Sequence, residues 1–205
     1  CYLAFRVRRE RLKGALEGMR GLEVRGLNVT APYKEQVVPY LDGLAAEAQA
    51  LGVVNTILNA RGRLIGYNTD PSGFGESLKA QGLNPAGWNV VILGAGGGAA
   101  AVAYALIETK VARITFYNRT PARAAALARR LAKPDASTIT ARGLTDGKIE
   151  DDIAHAKLLV NATPVGTFPS DETVIEPGLL HDGLTVYDLV YNPPKTRLLR
   201  EGEAR

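Results

Sequence analysis

The 205-residue chain is predicted to be an α/β protein in two parts, an N-terminal α/β segment followed by a doubly wound parallel sheet. Three observations predict this. From Trp88 onward, short apolar strands alternate with helices, the order that builds parallel βαβ units. The run Asn89-Val90-Val91-Ile92-Leu93 is continuously apolar, as a strand covered on both faces must be. A glycine run, Gly94-Ala95-Gly96-Gly97-Gly98-Ala99, separates that strand from an Ala-rich helix.

In the first part, Tyr2–Val7 alternates as a strand does, and Glu10–Met19 places Leu12, Leu16 and Met19 at helical spacing. Gly26–Thr30 reads as a short strand. Pro32, favoured at a first helical position, then opens a helix that carries Lys34 in its first turn. Gly43–Leu51 reads as a second helix and Val53–Leu58 as a strand. Arg61-Gly62-Arg63 forms a hairpin-like turn into Leu64–Tyr67. Phe74–Gln81 is a helix stopped at Gly82, with Pro85 beyond. Residues 83–87 therefore read as a linker between a domain of residues 1–82 and one of residues 88–195. The second domain continues with the helix Ala99–Ile107, the strand Arg113–Tyr117, the helix Pro121–Leu131 and the strands Lys157–Asn161 and Leu184–Leu189. No internal repeat or low-complexity segment interrupts this order.

Composition narrows the class. With 46% hydrophobic and 22% charged residues, the chain has the make-up of a soluble globular protein, and no apolar run is long enough to span a membrane. The N-terminus lacks the basic-then-apolar order of a signal peptide. A single Cys cannot form an internal disulfide, so a cytoplasmic setting is expected. Because the chain begins without Met, inside an apparent strand, it is expected to be part of a longer protein. The net charge of +4 comes with arginines dispersed over several helices and no aromatic-basic stacking motif. That pattern favours an anionic small molecule over nucleic acid.

The glycine run fits G-x-G-x-x-[GA] in its required context, between a strand and a helix. Side chains at Gly94 and Gly96 would block a pyrophosphate resting on the helix N-terminus; the plain alternative is a tight strand–helix turn. With Ala95, Gly97 and Gly98 these residues are the candidate dinucleotide loop of a Rossmann-type domain. The end of the next strand selects the dinucleotide. A free ribose usually meets an Asp or Glu about 20 residues on, but here the chain has Asn118-Arg119-Thr120, with Arg123 one helical turn later. A guanidinium binds a 2′-phosphate that a carboxylate would repel, so NADP is favoured over NAD. The alternative is that Arg119 and Arg123 are solvated surface charges.

Three clusters upstream, Asn28-Val29-Thr30, Asn55-Thr56 and Asn68-Thr69-Asp70, suit a small ligand with several hydroxyl groups, because amides and hydroxyls donate and accept hydrogen bonds without net charge. Lys34 and Asp70 add a pair able to move a proton at one of those hydroxyls. Taken singly, these residues have plainer readings. Asn and Thr make turns and caps, Asp70 before Pro71 suits a helix cap, and Lys34 suits a solvated charge. His155 and His181 have no Cys or His neighbours and read as structural or solvated, with no metal site. Trp88 and Met19 read as packing residues, and Tyr191 is open to a core reading.

Asn28–Lys34, Val54-Asn55-Thr56, Asn68-Thr69-Asp70 with Gly73, the loop at Gly94, Asn118-Arg119-Thr120, Asn161-Ala162-Thr163-Pro164-Val165-Gly166 and Tyr187–Pro193 together resemble shikimate dehydrogenase, in order and over nearly the whole chain. The resemblance implies reversible reduction of 3-dehydroshikimate to shikimate with NADPH, in aromatic amino acid biosynthesis. It makes residues 1–82 a substrate-binding domain that is incomplete at its N-terminus. It makes residues 88–195 the NADP-binding domain, and residues 196–205 the start of a helix that returns to the first. By the same resemblance Lys34 and Asp70 are catalytic, and Thr30, Asn55, Asp70 and Tyr191 contact substrate. Gly94–Gly98, Asn118, Arg119, Thr120, Arg123 and the backbone near Leu189 hold the cofactor. The chain departs from the family pattern in three places. It has no Ser-x-Ser element near the N-terminus, no C-terminal glutamine-bearing segment, and Thr167 where Met is usual. A quinate/shikimate dehydrogenase and a catalytically impaired NADP-binding fragment stay open as alternatives, as does a homodimeric assembly. Glutamyl-tRNA reductase shares the glycine loop and the Asn-Arg-Thr run, but it lacks the Asn28–Lys34 constellation.

Overall fold

The computed structural model describes residues 3–30, 32–132 and 137–205. These form two compact units, Cys1–Pro71 and Ser72–Arg205. The division lies ahead of the segment 83–87 and within the first turn of a helix, Asp70–Ala80.

The first unit packs short helices against a small mixed sheet. Helix α1 (Leu12–Gly21) buries Leu12, Leu16 and Met19, the three residues its spacing singled out. Strands β1 (Gly26–Asn28), β2 (Gly43–Leu44), β3 (Thr56–Ala60) and β4 (Arg63–Tyr67) lie in the order β1-β3-β4-β2. β3 and β4 form an antiparallel hairpin. Its two loop residues, Arg61 and Gly62, both have positive φ (55° and 85°), the turn that matches strand twist in a two-residue hairpin loop. Asn59 Oδ1 accepts the Gly62 N–H at 2.7 Å and fixes that turn. Helix α2 (Ala46–Leu51) ends at Gly52 in the left-handed conformation. Leu12, Leu16, Met19, Val37, Ala48, Val54, Ile57 and Leu64 form the core. β4 crosses this core at Gly66, where a Cβ would stand 2.6 Å from Leu41, 2.7 Å from Val54 and 2.9 Å from Leu44.

Three sequence expectations change here. Of the expected strand Tyr2–Val7, the described residues 3–7 are in no strand and Leu3 and Phe5 stay exposed; alternation makes a strand only where a ladder partner exists. The helix expected after Pro32 is instead a series of turns leading to a 3-10 turn at Val38–Tyr40. The Lys34 carbonyl, which a helix would use internally, accepts the Val54 N–H at 2.9 Å. The helix expected over Gly43–Leu51 gives up Gly43 and Leu44 to parallel pairing with β4.

Helix α3 (Asp70–Ala80) starts four residues before the expected Phe74. The second unit then runs through β5 (Asn89–Leu93), α4 (Gly97–Glu108), β6 (Arg113–Asn118), α5 (Pro121–Leu131), β7 (Thr138–Gly143), α6 (Ile149–Ala154), β8 (Leu158–Asn161), β9 (Thr185–Asp188) and α7 (Arg197–Glu203). The sheet order is β7-β6-β5-β8-β9, and every pairing is parallel. Counted along the second unit, that is 3-2-1-4-5, the Rossmann order. Its switch point falls between the first and fourth strands, β5 and β8. β7 and α6 were not anticipated from sequence. Val91, Leu93, Tyr117, Ile153 and Leu159 belong to the core on one face.

Candidate functional site

The first unit gathers Lys34, Asn55 and Asp70 into one cluster. Lys34 Nζ lies 2.8 Å from Asp70 Oδ2, and Asn55 Nδ2 donates to Asp70 Oδ1 at 2.7 Å. Each carboxylate oxygen is thus held by a different side chain. The Lys34 and Asp70 side chains are 31% and 36% exposed, so the pair opens to solvent, where a small ligand can reach it.

Backbone pairing explains why residues distant in sequence meet there. Besides the Lys34–Val54 hydrogen bond, the Asn55 N–H donates to Tyr67 O at 3.0 Å and the Asn55 carbonyl accepts from Val29 N at 2.7 Å. The lead-in to β3 is therefore stitched on one side to the Lys34 turn and on the other to the end of β4. Asn55 is 8% exposed and fully engaged. Its Nδ2 also donates to Thr69 Oγ1 at 3.0 Å. Its Oδ1 accepts from Thr56 Oγ1 at 2.9 Å and from Thr69 N at 3.1 Å. Asn28 Nδ2 extends the network by donating to Thr56 Oγ1 at 3.3 Å.

Asn68 and Thr69 set the position of Asp70, a role the sequence reading did not give them. Asn68, 3% exposed, donates to Val53 O at 3.1 Å and accepts the Asp70 N–H at 3.0 Å. That Asx turn starts α3 with the Asp70 carboxylate fixed. The signal was the Asn-Thr-Asp run itself. Thr30 is exposed, and its carbonyl accepts from Tyr33 N at 2.9 Å. Chemically, an ammonium held against a carboxylate can donate a proton or stabilise a developing oxyanion.

In the second unit, Gly94 follows β5 with φ +110°, a conformation that glycine adopts without strain. A Cβ there would stand 2.9 Å from Ala162 O. Gly96 precedes α4, has no side-chain cap, and a Cβ on it would meet nothing within 4 Å. At Gly98 a Cβ would come 2.9 Å from Leu189 Cδ1. The loop is thus packed tightly from below and open at Gly96. It lies at the carboxyl edge of the sheet next to the switch point, where open α/β sheets bind their ligands. This cradle, with uncapped helix N–H groups above it, fits a pyrophosphate.

Asn118 ends β6 and braces the next turn, its Nδ2 donating to Thr120 O at 2.9 Å. Arg119 and Arg123 are exposed at the same end of the sheet. Tyr191, 88% exposed, follows β9 in this unit. Among the described residues no group of three or more His, Cys, Asp or Glu could hold a metal, and no helix is long and apolar enough to cross a membrane.

A 3-2-1-4-5 parallel sheet with this loop, alongside a separate Lys–Asp pair in a hydroxyl- and amide-lined setting, defines a two-unit protein of the dinucleotide-dependent oxidoreductase class. Comparison with known proteins gives the particular family. Residues 1–57 match the family model described as shikimate dehydrogenase substrate binding domain. Residues 78–176 match shikimate / quinate 5-dehydrogenase. The shikimate dehydrogenase (NADP(+)) of Methanopyrus kandleri is 44% identical, over 98% of this chain and 71% of that protein. The crystal structure of Listeria monocytogenes shikimate 5-dehydrogenase with shikimate and NAD superposes with TM-score 0.92 at 34% identity, covering 99% of this chain and 72% of that one. Quinate dehydrogenase from Corynebacterium glutamicum with NAD gives TM-score 0.90 at 36% identity, covering 98% and 71%. The chain belongs to the shikimate dehydrogenase family.

Proposed function

We propose that the protein catalyses the reversible, NADPH-dependent reduction of 3-dehydroshikimate to shikimate, as a cytoplasmic enzyme of aromatic amino acid biosynthesis. The observation that carries the proposal is the Asp70 carboxylate shared between Lys34 Nζ at 2.8 Å and Asn55 Nδ2 at 2.7 Å, within a cluster of neutral hydroxyl and amide groups.

The residues divide the work as follows. Thr30 and Asn55 contact the substrate's polar groups, Asn55 by exchanging one of its bonds within the cluster for one to the substrate, and Tyr191 is a further substrate contact carried over from the family. Lys34 stands at the carbonyl being reduced, where its ammonium stabilises the developing alkoxide or gives it a proton. Asp70 orients the ammonium. Gly94, Ala95, Gly96, Gly97 and Gly98 receive the dinucleotide's pyrophosphate. Asn118, Arg119, Thr120 and Arg123 hold the phosphorylated ribose, and the backbone at Leu189 contacts the cofactor. When bound, the reduced nicotinamide supplies hydride to the ketone carbon. On this reading residues 1–82 serve the substrate and 88–195 the cofactor, with 83–87 as the linker and 196–205 beginning a C-terminal helix.

A second reading, quinate oxidation with NAD, is favoured by the likeness to the Corynebacterium enzyme. Steady-state assays with shikimate or quinate against NADP or NAD separate the two. Shikimate with NADP is expected to give the highest kcat/KM. Dominance of quinate with NAD would overturn the proposal. NADPH binding without turnover would favour a binding-only chain.

A further inference from the structure

Asn161 and Asp188, from the motifs Asn161–Gly166 and Tyr187–Pro193 at the carboxyl edge of the second unit's sheet, form a knot of three polar side chains with Thr196, just beyond the second motif. Asn161 and Thr196 are each 1% exposed. Asn161 Nδ2 donates to Asp188 Oδ1 at 2.9 Å and to Val165 O at 3.1 Å. Its Oδ1 accepts from Thr163 N at 3.1 Å and from Thr163 Oγ1 at 2.7 Å. Asp188 Oδ1 also accepts the Val190 N–H at 2.9 Å, and Asp188 Oδ2 accepts the Thr196 hydroxyl at 2.7 Å. Thr196 in turn accepts Leu199 N at the start of α7. The carboxylate is held by three neutral donors, and the knot pins three separate loops.

The position of this knot argues for more than stability. Asn161 and Asp188 are register partners at the last pairing of β8 with β9. The residues that directly follow them, Ala162 and Leu189, both press on the glycine loop: Ala162 O, with Thr163 Cγ2 beside it, against Gly94 and Leu189 Cδ1 against Gly98. Leu189 N is further tied to Asn161 O at 2.9 Å. The floor of the cradle is therefore set by the knot.

We infer that Asn161, Asp188 and Thr196 are positioning residues that hold Ala162 and Leu189 against the glycine loop and so fix the dinucleotide cradle. The inference rests on the cofactor reading above. Buried polar networks are rigid only when every member is satisfied. Losing one bond lets the 162–166 and 189–191 loops shift, and small displacements of a preorganised site carry large penalties.

The test is a fluorescence titration of the protein with NADPH, at a temperature where thermal melts show each variant folded. Thr196→Val and Asp188→Ala are expected to raise the NADPH Kd by about tenfold or more. Thr196→Ser keeps the hydroxyl and restores most of the binding. Val111→Ala, a core truncation just before β6 at the amino end of the sheet, is the control and is expected to bind NADPH as the parent does despite a lower melting temperature. If Asp188→Ala does not fold, Thr196→Val and Asp188→Asn carry the test. Unchanged Kd in the knot variants, or an equal loss in Val111→Ala, overturns the inference while leaving the cofactor reading intact. Absence of NADPH binding by the unsubstituted protein overturns both.

Discussion

Asn55 donates its side-chain amide to Asp70 at 2.7 Å, and the two residues are 15 positions apart in the chain. Asn55 spends both N–H groups and its carbonyl oxygen on neighbours of the same cluster. The carboxylate it steadies is the one that meets Lys34, so the geometry of the Lys34–Asp70 pair depends on a neutral amide behind it.

That dependence separates two substitutions. Lys34→Ala removes the ammonium proposed to serve the developing alkoxide and is expected to lower kcat by roughly 100- to 10,000-fold, with KM for shikimate within about twofold. Asn55→Ala removes a buried amide that takes part in several hydrogen bonds. It is expected to cost about 1–3 kcal/mol of stability as well as turnover. Steady-state kinetics and thermal melts of the two variants check this, and near-normal turnover in Lys34→Ala would count decisively against its assignment.

Arg119 lies exposed just beyond β6, with no ion pair among the described residues. A guanidinium bond to a 2′-phosphate is worth about 1.5–3 kcal/mol. Arg119→Ala is therefore expected to weaken NADP binding roughly 10- to 150-fold while leaving NAD binding nearly unchanged. Calorimetric titration with both cofactors provides the comparison, and an undiminished NADP preference would sink the assignment.

Tyr117 is fully buried, and burial, reinforced by its hydrogen bond to Asp152 at 2.7 Å, pushes its hydroxyl pKa well above the ordinary tyrosine value. The neutral form is favoured in the fold. Its contribution is thus complete below the unfolded-state value of about 10 and is lost as pH rises through the higher folded value. Stability of the second unit is expected to decline above about pH 10. Tyr117→Phe should flatten that decline at a cost of about 1 kcal/mol near neutrality. Asp152 keeps a partner in Arg142, whose Nε lies 3.3 Å away. Denaturant melts from pH 7 to 12 decide the matter.

Gly66 has core side chains on three sides, the nearest 2.6 Å from where a Cβ would lie. Gly66→Val should overpack the first unit and destabilise it by about 1–3 kcal/mol. NADPH binding by the second unit should be unaffected, and paired chemical melts and fluorescence titrations would show this selectivity.

The sequence was most informative where local chemistry alone decides the structure. Asn89–Leu93 and Pro121–Leu131 appear with the expected bounds, because a buried parallel strand and a Pro-started helix each carry their own signal. Lys34 shows the opposite case. Pro32 suggested a helix, but a long-range bond from Val54 claims the Lys34 carbonyl, and no local pattern reveals such a partner. β7 was overlooked because Thr138–Gly143 is only partly buried at the edge of the sheet and lacks an apolar run. Lys34, Asn55 and Asp70 could be nominated from residue type and order. That Asn55 works as the hub of the cluster follows only from its backbone pairing to both neighbouring strands.

The hydrogen bond between Lys34 O and Val54 N also has a consequence for how the chain folds. The Lys34–Asp70 pair spans 36 positions, and its turn is closed by the lead-in to β3 rather than by helix formation. No short peptide can therefore assemble the Lys34–Asp70 pair. It comes together only after the distant parts of the first unit have docked, and loop-closure entropy makes such contacts late ones. The Lys34–Asp70 contact is in this sense a readout of completed folding: a chain caught partway, with α1 already formed, has the lysine without the carboxylate that meets it.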